Sequence, residues 1–156
     1  MRRRTTQDKN MPAAPLGFLK FIKKKLSAPR SKEEAEHLKR GRHGEKIAAK
    51  FLRKKGFRIL RRNFKPSHGG EIDIVCRDEE ILVFVEVKSR ANETFGRPSA
   101  AVDSGKRLRI IHGAMAWLRL LDMPDITFRF DIVEIVADSD LTHIENAFAL
   151  PEPYHY

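Results

Sequence analysis

The chain has 156 residues, of which 41% are hydrophobic and 33% charged, and this balance is typical of one globular domain with a single core. No apolar run in the sequence approaches the roughly 20 residues of a membrane-spanning helix. The apolar stretch after the basic N-terminus, residues 16–22, is interrupted by Lys20, which argues against a signal peptide. The single cysteine, Cys76, excludes an internal disulfide framework and is expected to be a small strand residue. We therefore expect a cytoplasmic protein without stable membrane association.

The net charge of +10 comes from the first part of the chain. Residues 1–30 carry a net charge of +8 and residues 31–68 carry +9, whereas residues 69–156 carry −7. A basic half beside an acidic half suits a surface that binds a polyanion next to a site that binds a metal ion. A basic surface that only keeps the protein soluble is the alternative, and charge alone does not decide between the two.

The first 30 residues combine Arg, Lys, Pro and Ser with little apolar content, which predicts a basic, disordered tail. Within it, residues 16–26 could form a short amphipathic helix on contact with nucleic acid or a membrane surface. Residues 31–156 are expected to form a single domain.

A long helix is predicted from Glu33 to Lys55, weakened in its middle by Gly41 and Gly44. Its second half carries an apolar stripe at helical spacing, formed by Ile47, Ala48, Phe51 and Leu52. Glu45 lies on or beside that stripe, so its carboxylate needs a partner or a metal ion nearby. Gly56 is the expected C-cap of this helix.

Three strands are expected next, at residues 57–64, 71–76 and 81–88, the first with Phe57, Ile59 and Arg61 on one face. Gly69 and Gly70 should form a tight turn before the second strand.

A second helix is expected to open at Pro98 and Ser99, with Ser104 as a further N-cap candidate, and to end near Leu121 before Pro124. Its apolar positions are Leu108, Ile111, Met115, Trp117 and Leu118. Residues 126–136 are the last clear strand. The order helix, three strands, helix, strand predicts an α/β sandwich around a mixed sheet.

The third strand changes character along one face. Its alternate residues Leu82 and Phe84 are apolar and are followed on the same side by Glu86 and Lys88, whereas the other face is uniformly valine. Such a strand is expected to run from the core to the lip of a cleft. On the preceding strand, Glu71 and Asp73 share one face, opposite Ile72 and Ile74.

A two-residue hairpin turn is expected at Asp78–Glu79. Glu71 then faces Glu86, with Asp73 as its diagonal neighbour, about 5 to 8 Å away. Carboxylates placed this close repel each other unless a cation lies between them. A three-residue turn would instead put Asp73 and Glu86 on opposite faces.

Carboxylate ligands without a His or Cys cluster point to a hard ion such as Mg²⁺ or Mn²⁺. Lys88 would place an ammonium beside that ion, where it could orient a water and stabilise charge on a phosphoryl group. An ordinary Glu–Lys pair at a strand end is the alternative. Glu71 is either a further ligand or a group that supports the ligands, and we favour the supporting role.

Several basic residues could bind phosphates, since phosphate contacts dominate affinity for nucleic acids. The predicted phosphate track consists of Arg53, Lys54, Lys55, Arg58, Arg61 and Arg62. Arg90 and Lys106 either bind phosphates or are solvated charges. His68 and His112 have no partner at ligand spacing and are expected to be structural or exposed.

Six segments together resemble the YraN family of predicted bacterial endonucleases. They are GEKIAAKFLRKKGF (44–57), GGEIDIVCRD (69–78), LVFVEVKSR (82–90), FGRPSAAVDSGK (95–106), FRFDIV (128–133) and HIENAF (143–148). The resemblance implies a restriction-endonuclease-like fold with an αβββαβ core, similar to that of archaeal Holliday junction resolvases. Residues 1–30 lie outside the family pattern.

The resemblance also implies residue roles. Asp73 and Glu86 would be metal ligands, joined by the backbone carbonyl of Val87. Lys88 would be the catalytic lysine of the Asp-(x)n-Glu-x-Lys signature, and Glu45 the helix glutamate that resolvase-like members place against the metal site.

The expected function is a Mg²⁺-dependent nuclease that cleaves DNA, with branched or structured DNA as a candidate substrate. A non-catalytic nucleic-acid-binding protein that retains the fold is the main alternative, and a protein that docks on membrane surfaces through residues 16–26 is a weaker one. Resolvases act as two-fold dimers, so the resemblance implies a homodimer as a candidate assembly. The sequence itself contains no sign of a self-complementary interface.

Overall fold

The computed structural model describes residues 31–90, 103–137 and 140–151. Its elements are α1 (Lys32–Lys54), β1 (Arg58–Phe64), β2 (Ile72–Asp78), β3 (Ile81–Arg90), α2 (Ser104–Leu120), β4 (Phe128–Val136) and β5 (Asp140–Phe148). The described strands form one sheet in the order β1-β2-β3-β4-β5, in which β3 and β4 are parallel and the other neighbours antiparallel. This confirms the predicted mixed α/β architecture, which is consistent with a restriction-endonuclease-like core. The predicted tail, residues 1–30, and the predicted helix start at Pro98 and Ser99 lie outside the described residues.

In the described part of the chain, α1 packs on one face of the sheet and α2 on the other. Ala48 and Leu52 of α1 belong to the core cluster on one face, together with alternate residues of β2, β3 and β4. Ile110, Ala114 and Leu118 of α2 belong to the cluster on the other face. Because strand side chains alternate, Phe84 joins the α2 cluster while Val83 and Val85 join the α1 cluster, as predicted for β3.

Helix α1 runs unbroken through both of its glycines. Gly44 permits close approach to β3, because a Cβ atom there would lie 2.8 Å from Cβ of Ser89. At the C-terminus the Phe57 amide donates to the Leu52 carbonyl at 3.0 Å, and the Gly56 amide donates to the Arg53 carbonyl at 3.1 Å. This is a Schellman motif with Gly56 at a φ of +99°, which confirms the predicted cap.

The predicted face of β1 is wrong. The register with β2 shifts between Ile59 and Arg61, so Arg61 is exposed and Arg62 is half-buried. The pattern of β2 is also less regular than expected, because Ile72 joins the α2 cluster whereas Ile74 joins the α1 cluster. The bulge in β1 breaks the period of two on which its predicted face depends.

Strand β4 is not the last strand of the fold, contrary to prediction. β5 pairs antiparallel with it, and Asp131 of β4 helps to fix the irregular pairing. Its carboxylate, which is fully buried, accepts hydrogen bonds from Arg129 Nε at 3.0 Å and from the Asn146 amide at 2.9 Å, and contacts His143 Nε2 at 3.0 Å. The sequence pattern does not predict β5, because its apolar residues are few and interrupted by polar ones.

Helix α2 differs from prediction in its cap and its buried face. Asp103, not Ser104, is the N-cap, and its side chain accepts from the Lys106 amide at 2.8 Å. Leu108 is exposed, whereas Ile110 is buried. Trp117 packs edge-on against Phe64 with ring centroids 5.0 Å apart, as expected for a core position.

The turn before β2 depends on Gly70. Its φ is +93°, and a Cβ atom would lie 2.5 Å from the backbone nitrogen of Gly113 in α2. The neighbouring Glu71 amide donates to the Arg109 carbonyl at 3.3 Å, so this loop is docked on the helix.

We expect Gly70→Ala to lower the free energy of unfolding by about 2 to 4 kcal/mol, because the substitution adds both backbone strain and a clash with backbone atoms. Gly41→Ala is the matched control. Gly41 lies inside α1, and a Cβ atom there would meet nothing within 4 Å from the rest of the described chain, so alanine should stabilise by about 0.5 to 1 kcal/mol. Urea unfolding of the two variants measures both effects, and equal stabilities would contradict this role for Gly70.

Within the described part of the chain, no helix is both long and apolar enough to cross a membrane.

Candidate functional site

The hairpin between β2 and β3 sets the geometry of the candidate site. Asp78 pairs with Ile81, so the turn consists of Glu79 and Glu80, and the predicted turn at Asp78–Glu79 is wrong by one residue. The turn still has two residues, so the predicted faces are kept for the paired residues of β2 and β3. Ile74 and Val85 form the last pair of the β2–β3 register, and Asp73 and Glu86 are the next residues on the two strands. Glu71 therefore does not face Glu86.

Asp73 and Glu86 are both buried, with 8% and 3% of their surfaces exposed. Oδ2 of Asp73 accepts a hydrogen bond from the Val87 amide at 2.8 Å. This bond lies just past the last paired residues, Ile74 and Val85, so the side chain of Asp73 takes the place of a backbone acceptor where the two strands part. The contact holds the carboxylate beside β3. The role of the Val87 carbonyl as a ligand stays a prediction.

Two lysines neutralise Glu86. Lys88 Nζ lies 3.1 Å from Oε1, and Lys106 Nζ lies 3.0 Å from Oε2. Lys106 reaches the site because Asp103 caps α2 and fixes the first turn of that helix. Although burial lowers the pKa of Lys106, the Glu86 carboxylate raises it above the usual range overall. From the sequence, Lys106 was a candidate only for phosphate binding; the structure places it inside the carboxylate cluster.

Glu45 approaches the same cluster from α1. Asn63 Nδ2 donates to its Oε2, and Arg62 Nη2 lies 3.9 Å from the same oxygen. Asn63 has a φ of +52°, a left-handed conformation that asparagine tolerates. Glu45 is buried and close enough to raise the pKa of Asp73. Glu71 lies further out, where Lys65 Nζ pairs with it at 3.0 Å.

The electrostatics of Asp73 differ from those of the buried aspartate in β4. Burial and the nearby Glu86 charge raise the pKa of Asp73 to about 7, against the lowering effect of the Val87 amide and Lys106. Although burial raises the pKa of Asp131, hydrogen bonds with His143 and Arg129 lower it overall. Asp131 is thus satisfied by protein groups, whereas Asp73 lies near the carboxylates of Glu86 and Glu45, which raise its pKa.

The donor set of the cluster suits a hard divalent cation. Asp73 and Glu86 offer carboxylate oxygens, the ligands such ions prefer. Among residues 31–90, 103–137 and 140–151, no three His, Cys, Asp or Glu side chains lie close enough to form a ready-made metal cluster. The fit therefore rests on the buried Asp73–Glu86 pair and on the nearby carboxylate of Glu45.

Glu134 belongs to this region although it was not predicted as a site residue. It is 3% exposed, and neither carboxylate oxygen accepts a hydrogen bond from the described residues. It pairs in register with Lys88 across the parallel β3–β4 ladder. The sequence does carry a signal for it, because Phe130, Ile132 and Glu134 repeat on β4 the change from apolar to charged seen on β3.

Comparison with known proteins places these residues in a family. A model described as "Uncharacterised protein family UPF0102" matches residues 44–135. A UPF0102 protein of Clostridium acetobutylicum is 39% identical over 117 residues, covering 72% of this chain and 95% of the relative. One of Geobacter sulfurreducens is 44% identical over 114 residues (70% and 88%), and one of Geotalea daltonii 45% over 114 residues (70% and 89%). The chain belongs to the UPF0102 family.

The UPF0102 match confirms the family expected from the sequence segments. It begins in the middle of α1 and ends within β4, so it includes Glu45, Asp73, Glu86 and Lys88. It also includes Lys106, and it leaves out residues 1–30.

The described residues of the predicted phosphate track in this UPF0102 protein do not all lie at the candidate site. Arg62 lies beside Glu45, whereas Lys55 Nζ pairs with Glu145 at 3.2 Å and contacts His143 Nδ1 at 2.8 Å, near the far end of α1. Arg53, Lys54, Arg58 and Arg61 are exposed, and Arg90 is half-buried at the end of β3. Of the predicted phosphate track, Arg62 thus lies beside the carboxylate cluster, whereas Lys55 contacts β5.

The remaining residues considered in the sequence are the cysteine and two histidines. Cys76 is buried in β2, where burial raises the pKa of its thiol to about 12, and this confirms it as a strand residue rather than a nucleophile. His68 and His112 are exposed.

Proposed function

We propose that this UPF0102 protein is a metal-dependent nuclease that hydrolyses phosphodiester bonds in DNA. The observation that carries the proposal is the contrast between its buried aspartates. Asp131 is surrounded by donors and its pKa is lowered, whereas Asp73 stands near two more carboxylates and its pKa is raised to about 7. Crowded, buried carboxylates cost stability, and such clusters occur where a protein binds a cation or performs chemistry.

Asp73 and Glu86 would hold a Mg²⁺ or Mn²⁺ ion, with the backbone carbonyl of Val87 as the proposed third ligand and Glu45 or Glu71 in support. When bound, such an ion supplies Lewis acidity toward a phosphate oxygen and lowers the pKa of a bound water. Carboxylate and carbonyl oxygens match the preference of these hard ions.

The lysines would act on the phosphate and the attacking water. The ammonium of Lys88 stands at one oxygen of Glu86 and that of Lys106 at the other, at 3.1 and 3.0 Å. Lys88 would orient the water and donate to the phosphoryl oxygen on which negative charge grows. Lys106, which approaches from α2, would stabilise the same charge from the opposite side.

The substrate is proposed to be DNA because of the resemblance to the resolvases, and because residues 31–68 are strongly basic, with a net charge of +9. Arg62 lies at the site and would contact the backbone near the scissile phosphate, while Arg53, Lys54 and Arg58 would bind phosphates further along. The protein would work in the cytoplasm, where its cysteine stays reduced.

The test offers labelled duplex, single-stranded, flap and four-way DNA, and single-stranded RNA, to the full chain with Mg²⁺ or Mn²⁺. We expect at least one DNA substrate to be cut by the wild type and by Asp125→Ala, an exposed aspartate outside the site, but not by Asp73→Ala. Equal cleavage by all three proteins would mean a contaminating nuclease. Binding without cleavage of any substrate would replace the proposal with a nucleic-acid-binding function, and cleavage of RNA alone would change the substrate.

A further inference from the structure

We propose that Glu134 is a positioning residue for Lys88, and that it receives the Lys88 ammonium when a divalent cation occupies Glu86. The inference rests on the proposed nuclease function and adds a residue to its site.

The sheet places the two side chains together. β3 and β4 run parallel, and Lys88 and Glu134 are partners in their register. Paired residues of neighbouring strands point to the same face, at about 5 Å separation. That face carries Phe84 and then Glu86 on β3, and Ile132 and then Glu134 on β4. Glu134 therefore stands on the same face as Glu86, one strand away and beside Lys88.

The buried carboxylate of Glu134 would be stabilised by a cation. The residue is 3% exposed, and both oxygens of its carboxylate lack a hydrogen-bond donor among the described residues. A buried carboxylate without donors is expensive, because it loses water and gains nothing in return. Burial raises the pKa of Glu134, and the charges of Arg90 and Lys88 oppose that rise, so both cations act on the carboxylate through space.

Lys88 is the cation that can move to it. In the structure Lys88 shares Glu86 with Lys106, one ammonium on each oxygen. Glu86 would help to hold a divalent cation, whose charge would oppose both ammonium groups now paired with that carboxylate. The displaced ammonium needs another anion within reach of its flexible stem, and Glu134 is its partner across the ladder. Paired there, Lys88 would stay beside the reacting phosphate instead of turning to solvent.

The test is steady-state cleavage by Glu134→Gln, a substitution that keeps the shape of the side chain and removes its charge. We expect kcat to fall at least about 10-fold, because a misplaced catalytic group loses rate steeply, while KM for DNA and the Kd for Mn²⁺ stay within about 2-fold. Glu134→Asp should recover part of kcat, since it restores the charge. Glu80→Gln, at an exposed position of the hairpin turn, is the matched control and should behave as wild type.

The melting temperature separates positioning from folding. Gln removes a buried, unpaired charge, so Glu134→Gln should melt no lower than the wild type. A rise in KM, together with a fall in kcat and in the melting temperature, would mean a purely structural role and would overturn the inference. Wild-type kcat in Glu134→Gln would overturn it as well, and would leave the nuclease function standing. A wild type that cuts no nucleic acid would refute the nuclease function itself, and the inference with it.

Discussion

Lys88→Met should lower the rate of cleavage at saturating DNA by about 100- to 1000-fold without weakening the binding of Mn²⁺. The rate falls because removal of one preorganised donor to the developing charge of a transition state costs a factor of that size. Methionine keeps most of the volume and the unbranched shape of the side chain, so the half-buried position at the cleft should still pack.

The expected effect on metal binding has the opposite sign. Lys88 Nζ lies 3.1 Å from Oε1 of Glu86, where it competes with a divalent cation for that oxygen. Removing the ammonium leaves the carboxylate with Lys106 alone, so the Kd for Mn²⁺ should stay equal or fall. Calorimetric titration with Mn²⁺ and single-turnover cleavage measure the two effects separately.

Lys50→Met is the control, because Lys50 is an exposed lysine of α1 outside the site. It should match the wild type in both measurements. Weaker Mn²⁺ binding by Lys88→Met would mean that Lys88 supports the ligands rather than the reaction. A wild-type rate would remove Lys88 from the chemistry.

The carboxylate pair could be predicted from the sequence because it depends only on the alternation of strand side chains between the two faces of the sheet. The valines of β3 identify its buried face, and Glu86 and Lys88 follow on the other. The exact turn could not be predicted, since Asp78, Glu79 and Glu80 are all suited to a turn. A shift of one residue on both strands keeps every side chain on its face, so the apolar pattern does not distinguish the two registers.

Features that depend on tertiary contacts could not be predicted from local sequence patterns. Asn63 of β1 has a left-handed conformation and its side chain donates to Glu45, and no local sequence pattern marks that contact. Lys106 reaches Glu86 only because α2 begins at that point above the sheet. Glu134 could be predicted as a site residue from the change to a charged residue near the end of β4. The mostly apolar sequence of β4 instead favours its interpretation as a core strand.

The fold itself should become more stable when the charge of Asp73 is removed. Burial and the neighbouring Glu86 raise the pKa of Asp73 from 3.8 to about 7, so the folded state binds this proton more tightly than the unfolded chain does. The stabilisation from the protonated carboxyl is complete below the unfolded pKa and is lost as the pH rises through the folded one. Across that window the free energy of unfolding should fall by about 4 kcal/mol on account of this group.

Asp73→Asn removes the titration and keeps an oxygen that can accept from the Val87 amide. Without divalent ions, the variant should exceed the wild type in free energy of unfolding by up to about 4 kcal/mol at about pH 8, and the difference should nearly vanish at about pH 4. Urea unfolding in EDTA measures this, and the difference between the two proteins cancels the titration of all other groups. Asp125→Asn, at an exposed position, should show no such pH-dependent difference.

Divalent cations should reduce the stability difference between the two proteins. A cation that binds only the folded state stabilises it in proportion to the logarithm of its concentration over Kd, so Mg²⁺ at about pH 8 should raise the stability of the wild type and leave Asp73→Asn nearly unchanged. A variant less stable than the wild type in EDTA would mean that the Asp73 carboxylate serves the fold, as that of Asp131 does. If both proteins responded equally to Mg²⁺, the ion would bind elsewhere. The wild type alone gaining stability from Mg²⁺ is the result expected if the strain around Asp73 is retained for a metal ion.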